Sequence, residues 1–122
     1  MTKVLVIGEK GQLGQSFQYW APHFTDFEFL YEDLPEFNLL DHEQVEQFFK
    51  ITPTDIVINC SAYTLVDQAE DEPKIARELN AQAIKSLCEL SKTFDFKLIH
   101  FSTDYVFDGT ASKPYIESDL LN

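Results

Sequence analysis

Three glycines stand at GxxGxxG spacing in the stretch Gly8-Glu9-Lys10-Gly11-Gln12-Leu13-Gly14. The apolar run Val4-Leu5-Val6-Ile7 precedes them, and Leu13, Phe17 and Trp20 follow at helical spacing. A strand, a glycine turn and a helix in this order suit a dinucleotide. One glycine allows the tight turn, the next lets the backbone approach a pyrophosphate, and the last lets helix and strand pack closely. The diphosphate then lies on unpaired N–H groups at the helix N-terminus. A tight turn with no ligand is the plainer reading of any glycine triplet. Here three of the chain's four glycines fall in this one turn, which favours the ligand. An acidic residue about 20 positions on, at the end of the second strand, grips the adenosine ribose diol in such folds. Glu32 and Asp33 sit there, with no arginine beside them to receive a 2′-phosphate. That favours NAD, while Lys10 inside the loop is the group that would meet a 2′-phosphate instead. A solvated acidic turn is the bland alternative for either carboxylate.

Two further polar stretches end apolar runs. Asp55-Ile56-Val57-Ile58-Asn59 runs into Cys60-Ser61-Ala62-Tyr63-Thr64, whose small residues leave room for ribose and phosphate. Leu98-Ile99-His100-Phe101 runs into Ser102-Thr103-Asp104-Tyr105. Ligands of open α/β sheets bind beyond the carboxyl ends of the strands, so these hydroxyls and the carboxylate share one mouth. A Ser or Thr hydroxyl there can hydrogen-bond a carbonyl and polarise it for hydride attack. The alternative is that these hydroxyls only cap backbone at a strand end. His23 and His42 lie at helix boundaries and His100 inside a strand, and no pair has metal-ligand spacing. Cys60 and Cys88 form no CxxC or Cys/His cluster, so a reduced, cytoplasmic setting is the simplest reading.

The elements that must position these groups alternate along the chain. The expected order is a strand over Val4–Ile7, a helix over Gly11–Trp20 stopped by Ala21-Pro22, and an aromatic strand over Phe27–Tyr31. A short extended piece, Phe37–Leu39, precedes a helix capped by Asp41 and closed by Pro53. The strand over 55–59 comes next, then a long helix from Pro73 to Lys92 with Ile75, Leu79, Ala83, Leu87 and Leu90 on its apolar face. The last strand covers 98–101. Apolar strand interiors alternating with helices indicate an α/β fold, a Rossmann-like doubly wound parallel sheet. Its expected order is 3-2-1-4-5, with 37–39 as strand three at one edge and the C-terminal edge incomplete. The 122 residues amount to one domain, and a net charge of −12 argues against nucleic-acid or anionic-membrane surfaces. No aliphatic run is long enough to span a membrane, and no signal peptide opens the chain.

Several strings together resemble a family. They are Gly-x-x-Gly-Gln-Leu-Gly, the stretch Asn59 to Glu70, Leu79-Asn80-Ala81, Ser102-Thr103-Asp104-Tyr105-Val106-Phe107-Asp108-Gly109, and Pro114 to Asp119. The whole chain resembles the dTDP-4-dehydrorhamnose reductases, which are extended short-chain dehydrogenase/reductases. The resemblance implies that the cofactor, NADPH or NADH, lies with its diphosphate on Gly8, Gly11, Gln12, Leu13 and Gly14. It implies a ribose and adenine side at Asp33, Asn38 (where the family more often has aspartate) and Leu39. It further implies cofactor contacts at Ala62, Tyr63, Thr64, Asn80 and Phe101, the catalytic hydroxyl at Thr103, and substrate contacts at Thr103 and Asp104. The implied reaction is reduction of the 4-keto group of dTDP-4-dehydro-L-rhamnose to dTDP-L-rhamnose. Some members hold magnesium at subunit contacts, but no Mg2+ ligand cluster is legible here.

The family's proton donor is a tyrosine in a Tyr-x-x-x-Lys pair. None of Tyr19, Tyr31, Tyr63, Tyr105 or Tyr115 has a lysine four residues later. In the family this pair follows shortly after the position matching Asn122, so residues 1–122 are expected to be the N-terminal, NAD(P)-binding portion. On that expectation the isolated stretch is inactive and its last strand is an open edge, prone to self-association. The expected partners are a dTDP-linked sugar substrate and further copies of the chain, as a homo-oligomer or a self-associating fragment. The alternatives are a reductase of another nucleotide-linked 4-keto sugar, or a non-catalytic cofactor-binding subunit similar to the regulatory partners of methionine adenosyltransferase.

Overall fold

The computed structural model describes residues 1–61, 73, 81–101 and 108–121. Among these residues four parallel strands form a sheet: β1 (Thr2–Ile7), β2 (Phe27–Glu32), β3 (Ile56–Asn59) and β4 (Lys97–His100). Their order is β2-β1-β3-β4. Thr2 pairs with Phe27 and Ile7 with Glu32 on one side of β1, while Val4 pairs with Ile56 and Ile7 with Asn59 on the other. Beyond β3, Asn59 pairs with His100.

β1 is an unbroken apolar run because it is covered on both faces. Leu5 and Ile7 point into one core with Val57, Val45, Phe49, Leu87 and Leu90. Val4 and Val6 point into a second core with Ile58, against which Phe17 and Phe29 pack. Helices α2 (His42–Ile51) and α3 (Ala83–Phe94) supply the first core, and α1 (Gln12–Trp20) closes the second. Alternate residues of one strand thus serve opposite layers, as a doubly wound sheet requires.

Local chemistry sets the helix ends. Asp41 caps α2 by accepting the Gln44 N–H at 3.1 Å. Pro22 lies within the 3-10 turn Ala21–His23 that follows α1. At the end of α3, Asp95 adopts a left-handed conformation with φ 58°. Pro73 is helical, as expected for the start of a long helix, but residues 74–80, with Ile75 and Leu79, lie outside the described residues.

One expected element is not formed. Phe37–Leu39 is not a strand, so among the described residues the sheet ends at β2 rather than at an outer third strand. The backbone groups of this segment are engaged in turns. The Phe37 N–H donates to the Asp33 carbonyl at 2.9 Å, and the Asp41 N–H to the Asn38 carbonyl at 2.9 Å. The Asn38 N–H donates to Gln44 Oε1 at 2.8 Å. Phe37 and Leu39 are instead buried in the α2–α3 core. The apolar-polar-apolar alternation is real, but it comes from a loop that plugs the core.

Candidate functional site

The first turn of the site begins where β1 stops. The Gly8 N–H donates to the Glu32 carbonyl at 2.8 Å, extending the β1–β2 ladder by one bond before the chain turns. Gly8 has φ +88°, a region that side chains rarely adopt. A Cβ there would stand 2.7 Å from the Ser61 nitrogen and 2.8 Å from the Cys60 carbonyl carbon. At Gly14 a Cβ would collide with the Gly8 carbonyl oxygen and stand 2.7 Å from Glu9 Cα. Gly11 is different: a Cβ there would meet only the Gly8 carbonyl oxygen, at 3.5 Å. The first and third glycines are therefore demanded by the fold itself. The second is not.

Helix α1 leaves this loop without a side-chain cap and without an acidic residue in its first turn. The Gln15 N–H is bonded within the helix, to the Gly11 carbonyl at 2.9 Å. The first-turn N–H groups of Gln12, Leu13 and Gly14 precede it and have no intrahelical partner by construction. They form a concentrated positive end suited to an anion. Side chains from the helix hold the loop in place. Gln15 Nε2 donates to the Lys10 carbonyl at 2.7 Å, and Gln18 Nε2 to the Glu9 carbonyl at 2.9 Å.

Asp33 lies next to the glycine loop. Its Oδ2 accepts the Lys10 N–H at 2.9 Å and its Oδ1 accepts the Leu34 N–H at 2.8 Å. Each oxygen keeps a further lone pair for a sugar hydroxyl. The Lys10 ammonium donates to the Leu34 carbonyl and lies 3.9 Å from Glu36. The Glu32 carboxyl is held above the usual carboxylate range, first by burial and then by Glu9 and Glu36. The rim of β2 therefore carries one ammonium among four carboxylates. Asn38 Oδ1 accepts the Leu40 N–H at 3.0 Å, while the Leu39 side chain is committed to the core. Only the Leu39 backbone is left for a ligand.

At the end of β3 stands a residue that sequence reasoning passed over. Asn59 is 1% exposed and is the one buried polar residue among those described. Its Oδ1 accepts both the Ser61 N–H at 3.1 Å and the Ser61 Oγ–H at 2.7 Å. Its Nδ2 donates to His100 Nδ1 at 3.3 Å on the neighbouring strand. The available signal was a polar residue closing an otherwise apolar strand. Cys60 beside it is half-buried, and burial pushes its thiol up to about 11. Burial also holds the His100 imidazole below its ordinary value. Phe101, next along from β4, is 46% exposed.

The structure thus brings Gly8, Gly11, Gln12, Leu13, Gly14 and Asp33 together, with Asn38 and Leu39 in the loop beyond β2. Ala62, Tyr63, Thr64, Asn80, Thr103 and Asp104 lie outside the described residues. Farther along, Asp108 Oδ1 gathers the Thr110 N–H, the Thr110 hydroxyl and the Tyr115 hydroxyl within 2.8–3.0 Å. These bonds hold its carboxyl below the usual range. A separate cleft of about 490 Å3, lined by Lys3, Phe49, Asp55 and Phe94 among others, lies at the opposite ends of the strands from the glycine loop. No group of three or more metal-ligating side chains is found among the described residues, and none of their helices is long and apolar enough to cross a membrane.

Comparison with known proteins agrees with the motifs and the fold. The chain is 34% identical over 122 residues to a dTDP-4-dehydrorhamnose reductase of Aggregatibacter actinomycetemcomitans, covering 100% of this chain and 42% of that protein. It is 37% identical over 117 residues to the reductase of the same name from Burkholderia thailandensis, covering 96% of this chain and 39% of that one. The chain thus spans about two fifths of the length of these relatives. Among solved structures, the Bacillus anthracis dTDP-4-dehydrorhamnose reductase in complex with NADP superimposes with a TM-score of 0.92 at 32% identity. That match covers 100% of this chain and 44% of that one. The family described as RmlD substrate binding domain matches residues 1–122, the whole of the chain. With the glycine turn, the parallel sheet and that match in agreement, the chain belongs to the RmlD substrate binding domain family.

Proposed function

We propose that the full-length protein reduces the 4-keto group of dTDP-4-dehydro-L-rhamnose to dTDP-L-rhamnose with NADPH or NADH, and that residues 1–122 supply its dinucleotide site. The observation that carries this reading is the start of α1 at Gly11: the helix begins there without a side-chain cap, and a Cβ at Gly11 would meet only the Gly8 carbonyl oxygen, at 3.5 Å, so the backbone is open to a ligand. That donor set fits a diphosphate. The relatives' shared description as dTDP-4-dehydrorhamnose reductases supports the substrate.

When bound, the nicotinamide supplies a hydride. The chain's own residues bind and orient. Gln12, Leu13 and Gly14 offer N–H groups to the diphosphate, and Asp33 offers its remaining lone pairs to the adenosine ribose. The acidic rim at Glu9, Glu32 and Glu36 disfavours a 2′-phosphate, and Lys10 is the one cation at this rim among the described residues that favours it, so NADH is used at least as well as NADPH. Thr103 donates a hydrogen bond to the ketone oxygen and Asp104 contacts the sugar. Completing the alcohol also needs a proton donor, and none of the tyrosines of residues 1–122 stands in a Tyr-x-x-x-Lys pair. We read the protein as cytoplasmic and self-associating. Strand β4, which ends the sheet among the described residues and leaves Ile99 45% exposed, offers an edge for further strands or a second copy.

The test is a reductase assay of the full-length gene product on dTDP-4-dehydrorhamnose, following loss of NADPH or NADH absorbance. Oxidation coupled to dTDP-rhamnose formation is expected with both cofactors. Dinucleotide binding without turnover would overturn the reductase reading in favour of a non-catalytic subunit. Turnover only on another nucleotide-linked 4-keto sugar would overturn the substrate.

A further inference from the structure

The Gly8 turn, whose carbonyl accepts the Gly11 N–H at the start of α1, lies against the exit of β3 at Cys60-Ser61. They touch so closely that no Cβ fits between them, the virtual atom lying 2.9 Å or less from three backbone atoms of Cys60 and Ser61. The Gly8 turn is fixed by its ladder bond to Glu32. The Cys60 N–H is fixed likewise, donating to the Ile7 carbonyl at 2.8 Å. Beyond Cys60 the ladder stops, and Ser61 is held by a side chain instead. Both of its donors end on Asn59 Oδ1.

We infer that Asn59 is a positioning residue for the dinucleotide, its buried amide holding Ser61 against Gly8 so that the glycine turn keeps the shape that presents the α1 N–H groups. The inference rests on the dinucleotide reading above and adds a residue outside the glycine loop. The chemistry of an amide suits this place. Its oxygen takes two donors from Ser61 while its nitrogen donates to His100 Nδ1, which ties the β3 exit to β4. Asn59 sits between Ile7 and His100 in the register, at the centre of the sheet's carboxyl edge. With 1% exposure, the amide has no water to replace a lost partner. Without the Oδ1 acceptor, both Ser61 donors are released together and the β3 exit is free to move away from Gly8.

The experiment uses the full-length protein with Asn59→Ala, Asn59→Asp and Ser61→Ala, titrated with NADH and with NADPH by fluorescence, alongside thermal melts. Asn59→Asp keeps the oxygen that holds Ser61; Asn59→Ala does not. The expected result is that Asn59→Ala binds both dinucleotides roughly tenfold or more weakly, in proportion to the two hydrogen bonds lost, and that Asn59→Asp restores binding to within about threefold. Ser61→Ala, which removes one of the two bonds and leaves the buried amide in place, is expected to weaken binding about threefold. Wild-type affinity in Asn59→Ala overturns the inference, and so does an Asn59→Asp protein as weak as Asn59→Ala while still folded. If Asn59→Ala does not fold, wild-type affinity in Ser61→Ala overturns it instead. A wild-type protein that binds neither dinucleotide overturns the dinucleotide reading itself, a result that no Asn59 variant could produce.

Discussion

Replacing Gly8 and Gly11 one at a time with alanine separates what the fold demands from what a ligand demands. At Gly8 the new methyl meets two penalties. The φ of +88° lies where L-residues clash with their own carbonyl, which costs about 1–2 kcal/mol. The methyl would also press on the Ser61 nitrogen at 2.7 Å and the Cys60 carbonyl carbon at 2.8 Å. Both are backbone atoms, held by the Cys60–Ile7 ladder bond and by Asn59, so neither can swing aside as a side-chain tip would. Overpacking of this kind costs a further ~1–3 kcal/mol. The stiffer unfolded chain returns about 0.4–1 kcal/mol. The net loss for Gly8→Ala is about 1–5 kcal/mol, a large share of the ~5–15 kcal/mol that holds a typical domain. Gly11 has φ −73° and ψ 170°, open to any residue, and its Cβ would find only one contact, at 3.5 Å. Gly11→Ala is therefore expected to change stability by less than about 1 kcal/mol. It still places a methyl on the backbone where a diphosphate must approach, and is expected to weaken dinucleotide binding roughly tenfold. Urea denaturation of the full-length protein measures the first quantity and fluorescence titration with NADH or NADPH the second. A Gly8→Ala protein as stable as wild type would refute the closed Gly8–Ser61 contact. A Gly11→Ala protein that loses stability as Gly8→Ala does, or that binds as wild type does, would refute the assignment of Gly11 to the ligand.

Thiol alkylation at about pH 8 is expected to label the exposed Cys88 well before Cys60, whose thiol, raised to about 11 by burial, is ionised only about one part in a thousand; equal labelling rates by mass spectrometry would contradict that burial. His100 has a lowered pKa in the folded state, so the unfolded chain binds more protons below the ordinary value of 6.5. The stability that neutral His100 contributes is whole above that value and is lost as pH falls through the lowered one, with its Nδ1 no longer able to accept from Asn59. His100→Gln should flatten that segment of the stability–pH curve in urea melts, and an unaltered slope would refute the coupling.

Much of the site was legible because its determinants are local. Val4–Ile7 has to be a strand in any setting that buries it, and Gly8 with Gly14 marks a turn that other residues could not make. Asp41 announces a helix start through its own side chain. Those signals lie within a few residues of the structure they dictate, so pattern and spacing suffice for β1, α1, α2 and the glycine loop. Phe37–Leu39 shows where this ends. Apolar residues two apart describe an edge strand and a loop folded onto the core equally well, and the choice depended on Asp33 and Gln44, which take up the backbone donors a strand would have needed. Leu39 accordingly faces the core, although its position in the family motif points to a ligand. Asn59 is the same case in reverse. Its polarity was visible, but its partners are a turn two residues on and a histidine 41 residues away on the next strand. Asp33 likewise stands in sequence as a ribose ligand, whereas its bond to the Lys10 N–H makes it a tie across the mouth of the site as well. A side chain's hydrogen-bond partners are set by what the packed sheet brings within 3 Å or so, and no spacing along the chain encodes that distance.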